Sequence, residues 1–494
     1  MLRRALVAGS TVLILGSQAI AASPARAATV TPNINATRLG GNQSEAAIAI
    51  DPTDPMHVVE FSNRERGGGM ILVRSQDGGV TWEPPSSFAR NDVAFGNACC
   101  DPTLSWDGFG NLFMAWLDLD DAGAIPVATS SDGGQTFRML KVLRPSPPAT
   151  RERPEASPAI RRDEGDGDED EKPGGGEKER EPSIKGSSVD QPTIVTGEGA
   201  VWLTWNNNGV MQAAGAPVSG LDQIGKFSKR EDIPRSAGCS FGDITVGPLG
   251  QVYEVCTKNK RHTDPRVASI RAATDPDGLG PQGFTAAKLI GRTNVEQFDP
   301  ITPQRSRTVD AETGLAWDTN EASIHFGRLY LMWTDEQPNG SADTDIWLRS
   351  SDDAGATWST PTRVNDDTTN AQFLPRMALD PTTGNLAIGW HDARNDLGDH
   401  GVGDTDGRVN TDAMYYLTFS VDGGHSFAPA SQVSVGASNA KDARNGIDYG
   451  DYTGLAFYGG LAIPAWSDNS NSTADNPGGT LHTFDIYTAR VNLV

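Results

Sequence analysis

Six short stretches put a carboxylate just ahead of an apolar run: SEAAI (Glu45), CCDPT (Asp101), VDQPT (Asp190), FGDIT (Asp243), FDPIT (Asp299) and YGDYT (Asp451). LPRMA puts Arg376 in the same place. A second set follows tryptophan as W-x-D/N, at Asp118, Asn207, Asp335, Asp392 and Asp468. Gathered carboxylates repel one another, so a cluster persists when some are protonated, paired with arginine or bound to a cation. A carboxyl that holds its proton is a general acid. A hard cation such as Ca2+ would take the same oxygens. The Gly-rich run DARNDLGDHGVGDTDGRVNTDAMYY offers Asp392, Asp396 and Asp399 as metal ligands, with Asp404, Asp406 and Asp412 further on. Its spacing lacks the EF-hand order. No motif requires a cofactor: there is no phosphate-binding glycine loop, no G-x-S-x-G, and no third ligand to make His391 and His400 a zinc site. Each W-x-D, taken singly, reads as a cap for backbone amides, and its tryptophan as core.

The elements that would position these residues follow from a repeat. SQDGGVTW, SSDGGQTF, SDDAGATW and SVDGGHSF share the pattern S-x-D-x-G-x-T/S-aromatic. The aspartate can accept backbone N–H groups inside a tight turn, and glycine supplies a backbone angle other residues resist. Asp77, Asp132, Asp353 and Asp422 are therefore hairpin staples rather than catalytic groups. Around each turn lies a unit of four strands, clearest from Asp101 to Leu143, with others starting near Glu45, Asp190, Phe241, Asp299, Phe373 and Asp451. The last unit has only three strands, and TVTPNINATRL near the start can supply its fourth. The expectation is an all-β, seven-bladed β-propeller of four-stranded antiparallel blades, closed by the N-terminal strand, with six blades as the alternative. Alternating strand direction puts the carboxylate-bearing strand starts on one face and the S-x-D turns on the other.

This repeat resembles the Asp-box, or BNR, repeat of the sialidase superfamily of propellers. The resemblance implies an arginine triad gripping a substrate carboxylate, a tyrosine nucleophile assisted by a glutamate, and an aspartate acid/base. Matching positions here are Arg376, Arg394 and Arg444 for the triad, Tyr452 for the nucleophile with Tyr449 nearby, Glu45 for its assistant, and Asp101 for the acid. The R-I-P motif of that family is absent; QSEAAIAI stands at the corresponding place. The implied function is a secreted, sialidase-like propeller acting on extracellular glycans as an exo-glycosidase. The alternative is a non-catalytic propeller that binds glycan or protein.

The chain opens with Arg3 and Arg4, an apolar run and the A-x-A of Ala25 and Ala27, the layout of a signal peptide over residues 1–27. Residues 28–494 then form one domain, interrupted at 145–188 by a charged, Pro/Gly-rich insertion too poor in apolar residues to order itself. A net charge of −23 argues against nucleic acid and anionic membranes as partners. No later run is long and apolar enough to span a bilayer. A secreted monomer with a glycan or glycoprotein partner is the expectation. The four cysteines Cys99, Cys100, Cys239 and Cys256 suit an oxidising compartment and admit three pairings. Cys239 and Cys256 flank adjacent strands and bridge easily, which leaves Cys99 to Cys100, about 3.8 Å apart at Cα against a usual minimum of ~4.4 Å. The other pairings tie both to blade four.

Overall fold

A computed structural model describes residues 28–64, 69–121, 123–144, 189–259, 267–296, 298–443 and 448–494. Residues 1–27, expected to be a leader, the charged insertion and Arg444 lie outside the described residues. The chain forms seven antiparallel sheets set around an axis, a seven-bladed β-propeller. Innermost strands are Gln43–Ile50, Thr103–Trp106, Val189–Gly197, Cys239–Val246, Gly314–Trp317, Gln372–Leu379 and Gly454–Tyr458. Each pairs with the next strand in sequence, and the blade grows outward. The ring closes as expected: Ile34–Asn35 pairs with Asp485–Thr488 of blade seven, joining the first described strands to the last. Six blades are ruled out by the count of sheets.

The core consists of seven slices, one between each pair of neighbouring blades, and an eighth cluster around Phe373, Tyr449 and Phe484. One slice joins Phe61 and Leu72 of blade one to Leu112 and Trp116 of blade two, and another joins Ile48 and Ile71 of blade one to Ile463 and Ile486 of blade seven. Trp116, Trp205, Trp390 and Trp466 are almost wholly buried in these slices, so they are core and not sugar platforms. Truncating such an indole to alanine would cost roughly 3–5 kcal/mol. The W-x-D carboxylates act as caps: Asp392 Oδ2 accepts the Trp390 indole N–H at 2.7 Å, and Asp468 Oδ2 accepts that of Trp466 at 3.1 Å.

The S-x-D turns close the third-to-fourth-strand hairpins on one face. In the first, Asp77 Oδ1 accepts the N–H groups of Val80 at 3.0 Å and Thr81 at 2.8 Å, and Oδ2 accepts the Thr81 hydroxyl at 2.6 Å. Gly79, at φ +82°, lets its own N–H reach Ser75 Oγ at 2.9 Å. The same bonds recur around Asp132, Asp353 and Asp422.

Blade five corrects one expectation. Asp299 does not open its inner strand; it sits in a loop folded back on itself through paired N–H···O bonds with Val309. The run after FDPIT is PQRSRT, which has no apolar alternation to pair against Leu329–Glu336. GLAW does, so the strand starts at Gly314 and the residue ahead of it is Glu312. Both disulfides lie on the face opposite the S-x-D turns: Cys99–Cys100 with Cα atoms 3.8 Å apart, and Cys239–Cys256 at 5.7 Å. Among the described residues no helix is long and apolar enough to cross a membrane.

Candidate functional site

Aligning the inner strands by their pairing reveals one repeated position. Ala47, Thr103, Thr193, Asp243, Gly314, Arg376 and Gly454 each face the residue just before the second-strand tryptophan or its equivalent. Two residues earlier stand Glu45, Asp101, Gln191, Phe241, Glu312, Leu374 and Tyr452. The first six of these are left-handed, with φ of 55°, 56°, 52°, 50°, 46° and 49°. In blades one, three, four and six the ladder shifts register at this point, so each is a β-bulge. A bulge re-aims a side chain out of the strand's alternation. It also frees the next residue from donating to the ladder, and Pro102, Pro192 and Pro375 follow it. Left-handed backbone at non-glycine residues is strained and is held only where the surroundings impose it, most often at functional sites.

This ring surrounds an axial cavity of about 90 Å3, lined by Gln191, Phe241, Asp243, Glu312, Arg376 and Tyr452 among others. Tyr452, Glu45 and Asp101 occupy the ring position in three consecutive blades, which brings the expected nucleophile, its assistant and the acid side by side. Burial, reinforced by Asp190 and Glu45, raises the Asp101 carboxyl well above the ordinary range. Asp190 stands close enough for its charge to add to that rise. Asp101 Oδ2 also accepts the Gln191 N–H at 2.8 Å. Glu45 is wholly buried, accepts from Asn63, and lies 3.3 Å from both an Arg307 nitrogen and the Asp451 N–H. Burial and the neighbouring carboxylates, Asp101 first, push the Tyr452 phenol well above its usual value. Its hydroxyl has no hydrogen-bond partner among the described residues.

Two arginines oppose this acidity. Arg307 reaches in from the loop before blade five and grips Asp451, with Nε 2.6 Å from Oδ1. Arg376 lines the cavity near Asp243, Glu312 and Tyr452, close enough to influence all three. It makes no hydrogen bond or ion pair with any described residue. Burial, then Asp451, raises the Glu312 carboxyl well above its ordinary range, and its Oε1 is buried without a partner. Asp310 behaves likewise, raised by burial and by Glu312. At the rim, Phe298 is 54% exposed and meets Phe241 edge-on at 6.1 Å.

Other expected residues lie elsewhere. Arg394 does not join Arg376: it is bound to Asp392 at 2.7 Å and Asp366 at 2.7 Å, under the Tyr416 ring, because a nearby carboxylate claims its guanidinium. Tyr449 is core, donating to the Ser438 carbonyl at 2.8 Å. Of the metal candidates, Asp392 is taken by Arg394 and Asp399 is exposed; only Asp396 joins a carboxylate group, with Asp404 and Asp412 within 4.8 Å. Those three are occupied by the loop's own donors. Asp396 accepts from Asp412 N at 2.9 Å, Asp404 from Gly407 N at 2.7 Å, and Asp412 from Thr405 N at 3.1 Å. Sequence reasoning passed over Arg307, Asp310, Glu312 and Phe298. Their signal, two arginines in a polar loop followed by D-A-E-T-G-L-A-W, was hidden by the FDPIT lookalike.

No protein-family model matches this chain, and no curated protein does. Among solved structures it is similar to a protein of unknown function from Dyadobacter fermentans, with TM-score 0.48 and 10% identity over 94% of this chain and 99% of that one. It is also similar to an α-L-arabinofuranosidase from Fusarium graminearum, with TM-score 0.44 and 13% identity over 73% and 92%. The endosialidase of phage phi92 gives TM-score 0.44 and 12% identity over 94% and 69%. Likeness of this kind says nothing about the chemistry at the axis.

Proposed function

We propose that the chain is an exported hydrolase of acidic glycans, an exo-glycosidase of sialidase-like mechanism. The observation that carries it is the ring. Tyr452, whose hydroxyl has no partner among the described residues, and Arg376, likewise without one, line a single cavity, and Asp101, its carboxyl raised by burial, stands at the same ring position two blades on from Tyr452. In this reading Arg376 holds the substrate's carboxylate. Asp101, keeping its proton, delivers it to the leaving oxygen. Tyr452 attacks the anomeric carbon as its phenol proton passes towards Glu45. Water then breaks the Tyr452–sugar bond, with Asp101 taking the water's proton and the phenol regaining its own. A neutral nucleophile suits an anionic sugar, which would repel a carboxylate. The leader pattern and two disulfides support export, and Phe298 offers an apolar face to a sugar ring.

A second reading, a propeller that binds the same glycan without cleaving it, is favoured by Glu45, whose oxygens are already engaged by Asn63 and Arg307. Release of fluorophore from an aryl α-sialoside by the purified protein separates the two. Turnover is expected to fall by about 100-fold or more in Asp101→Asn, as for loss of a general acid, and to vanish in Tyr452→Phe, with thermal unfolding unchanged. Absence of turnover in the wild type, with retained sialoside binding, would leave the binding reading.

A further inference from the structure

A second cavity, about 250 Å3, is lined by Arg305, Ser306, Arg408, Asn439, Lys441 and Asp448 among others. The loop 302–308 serves both regions, giving Thr302, Pro303, Arg305 and Ser306 to this lining and Arg307 to the acids around the axis. Its Arg307 turns inward to Asp451 and Glu45, while Arg305, two residues back, lines the second cavity. Asp448 lines the second cavity, and its Oδ2 accepts the N–H groups of Ser306 at 2.8 Å and Arg307 at 3.1 Å. That carboxylate is therefore already matched by two donors. Asp406 takes part of the positive charge, 3.4 Å from Lys441 Nζ and 4.0 Å from Arg408 Nε. Arg305 has no hydrogen-bond or ion-pair partner among the described residues.

Three cations around one hollow run against the composition, in which 64 acidic residues outnumber 41 basic ones. In such a chain a lysine or arginine finds acids on most sides. A place where cations converge and one stays unpaired is suited to an anion brought from outside.

We propose that this cavity is an anion subsite, so that the substrate is a glycan with negative groups on more than one sugar. One acidic sugar enters the axial cavity, the chain crosses the loop 302–308, and a second acidic group meets Arg305, Arg408 and Lys441. This deepens the hydrolase reading and rests on it, because one glycan occupies both cavities. Carboxylate and sulfate share the chemistry required, since both accept a guanidinium fork.

Calorimetric titration of the purified protein tests the proposal without depending on turnover. The probes are an oligogalacturonate, a heparin-derived oligosaccharide and a neutral maltooligosaccharide of matched length. At least one anionic probe is expected to bind and the neutral one not. Arg305→Ala combined with Lys441→Ala is expected to weaken binding about tenfold or more, as when charge-assisted contacts are removed. Arg138→Ala, which removes an exposed cation paired with Asp222 on blade two, is expected to leave it unchanged. The oligogalacturonate and heparin arms separate carboxylate from sulfate. Equal binding of the neutral probe, no binding of either anion, or undiminished affinity in a folded double variant overturns the proposal. Anion binding without aryl-sialoside turnover removes the hydrolase reading and leaves the subsite; turnover without anion binding does the reverse.

Discussion

The two faces of this propeller use the same side chain in opposite states. On the turn face, Asp77, Asp132, Asp353 and Asp422 are held below the ordinary carboxyl range. Partial burial pushes up Asp77, but hydrogen bonds from Thr81, Ser75 and Val80 outweigh it. Asp353, bonded first by Thr357, falls to about 2. Around the axis, Asp101, Asp310 and Glu312 are raised, in each case chiefly by burial. The difference lies in the supply of donors. A turn offers several N–H and O–H groups to each carboxylate, while the ring gathers acids with few donors and little water. Donor-rich carboxylates stay charged and hold structure; donor-poor ones keep protons and become available for chemistry.

Glu60 tests the donor-poor extreme most severely. It lies on the second strand of blade one, wholly buried, with both oxygens unpartnered, and burial lifts it to about 8. Its folded pKa exceeds the unfolded value, so the group lowers stability as pH rises between the two. The slope is about 1.4 kcal/mol per pH unit for this one group, over the interval from 4.5 to about 8. Glu60→Gln should remove that slope and raise the denaturation midpoint at pH 8. An unchanged pH dependence in denaturant titrations would mean that donors reach Glu60 after all.

Within the ring, Asp190→Asn removes the neighbouring negative charge that helps Asp101 keep its proton. Burial remains, but the Asp101 pKa should move down, and with it the alkaline limb of the pH–rate profile. Turnover near neutral pH is expected to drop about tenfold for each unit of movement, with less change at acid pH. A profile that stays in place would show burial alone to be sufficient. On the donor-rich face the effect should be smallest. Asp422→Ala removes the bonds to Ser426 and His425 and should cost about 1 kcal/mol, as for loss of a helix cap, without altering turnover. That loss should itself fade as the wild type is acidified and Asp422 protonates, which thermal melts at several pH values would follow.

Repetition determined most of what could be read directly. Four turn motifs, a two-residue alternation and tryptophans at strand ends specify blade, face and ring closure, because each is a local pattern with a local cause. They sufficed to bring Glu45, Asp101 and Tyr452 to one ring position and the turn aspartates into hairpin turns on the other face. Local pattern failed where a loop imitated it, at Asp299, and so concealed Glu312 and Arg307. It failed again where partner choice decides a role: Arg394 and Arg376 look alike in sequence, yet Asp392 and Asp366 claim one and nothing described claims the other. The influence of Asp190 and Glu45 on Asp101, and the reach of Arg307 to Asp451 and Glu45, depend on distances between blades far apart in the chain. Charge and burial act through space, and only the closed ring sets those distances.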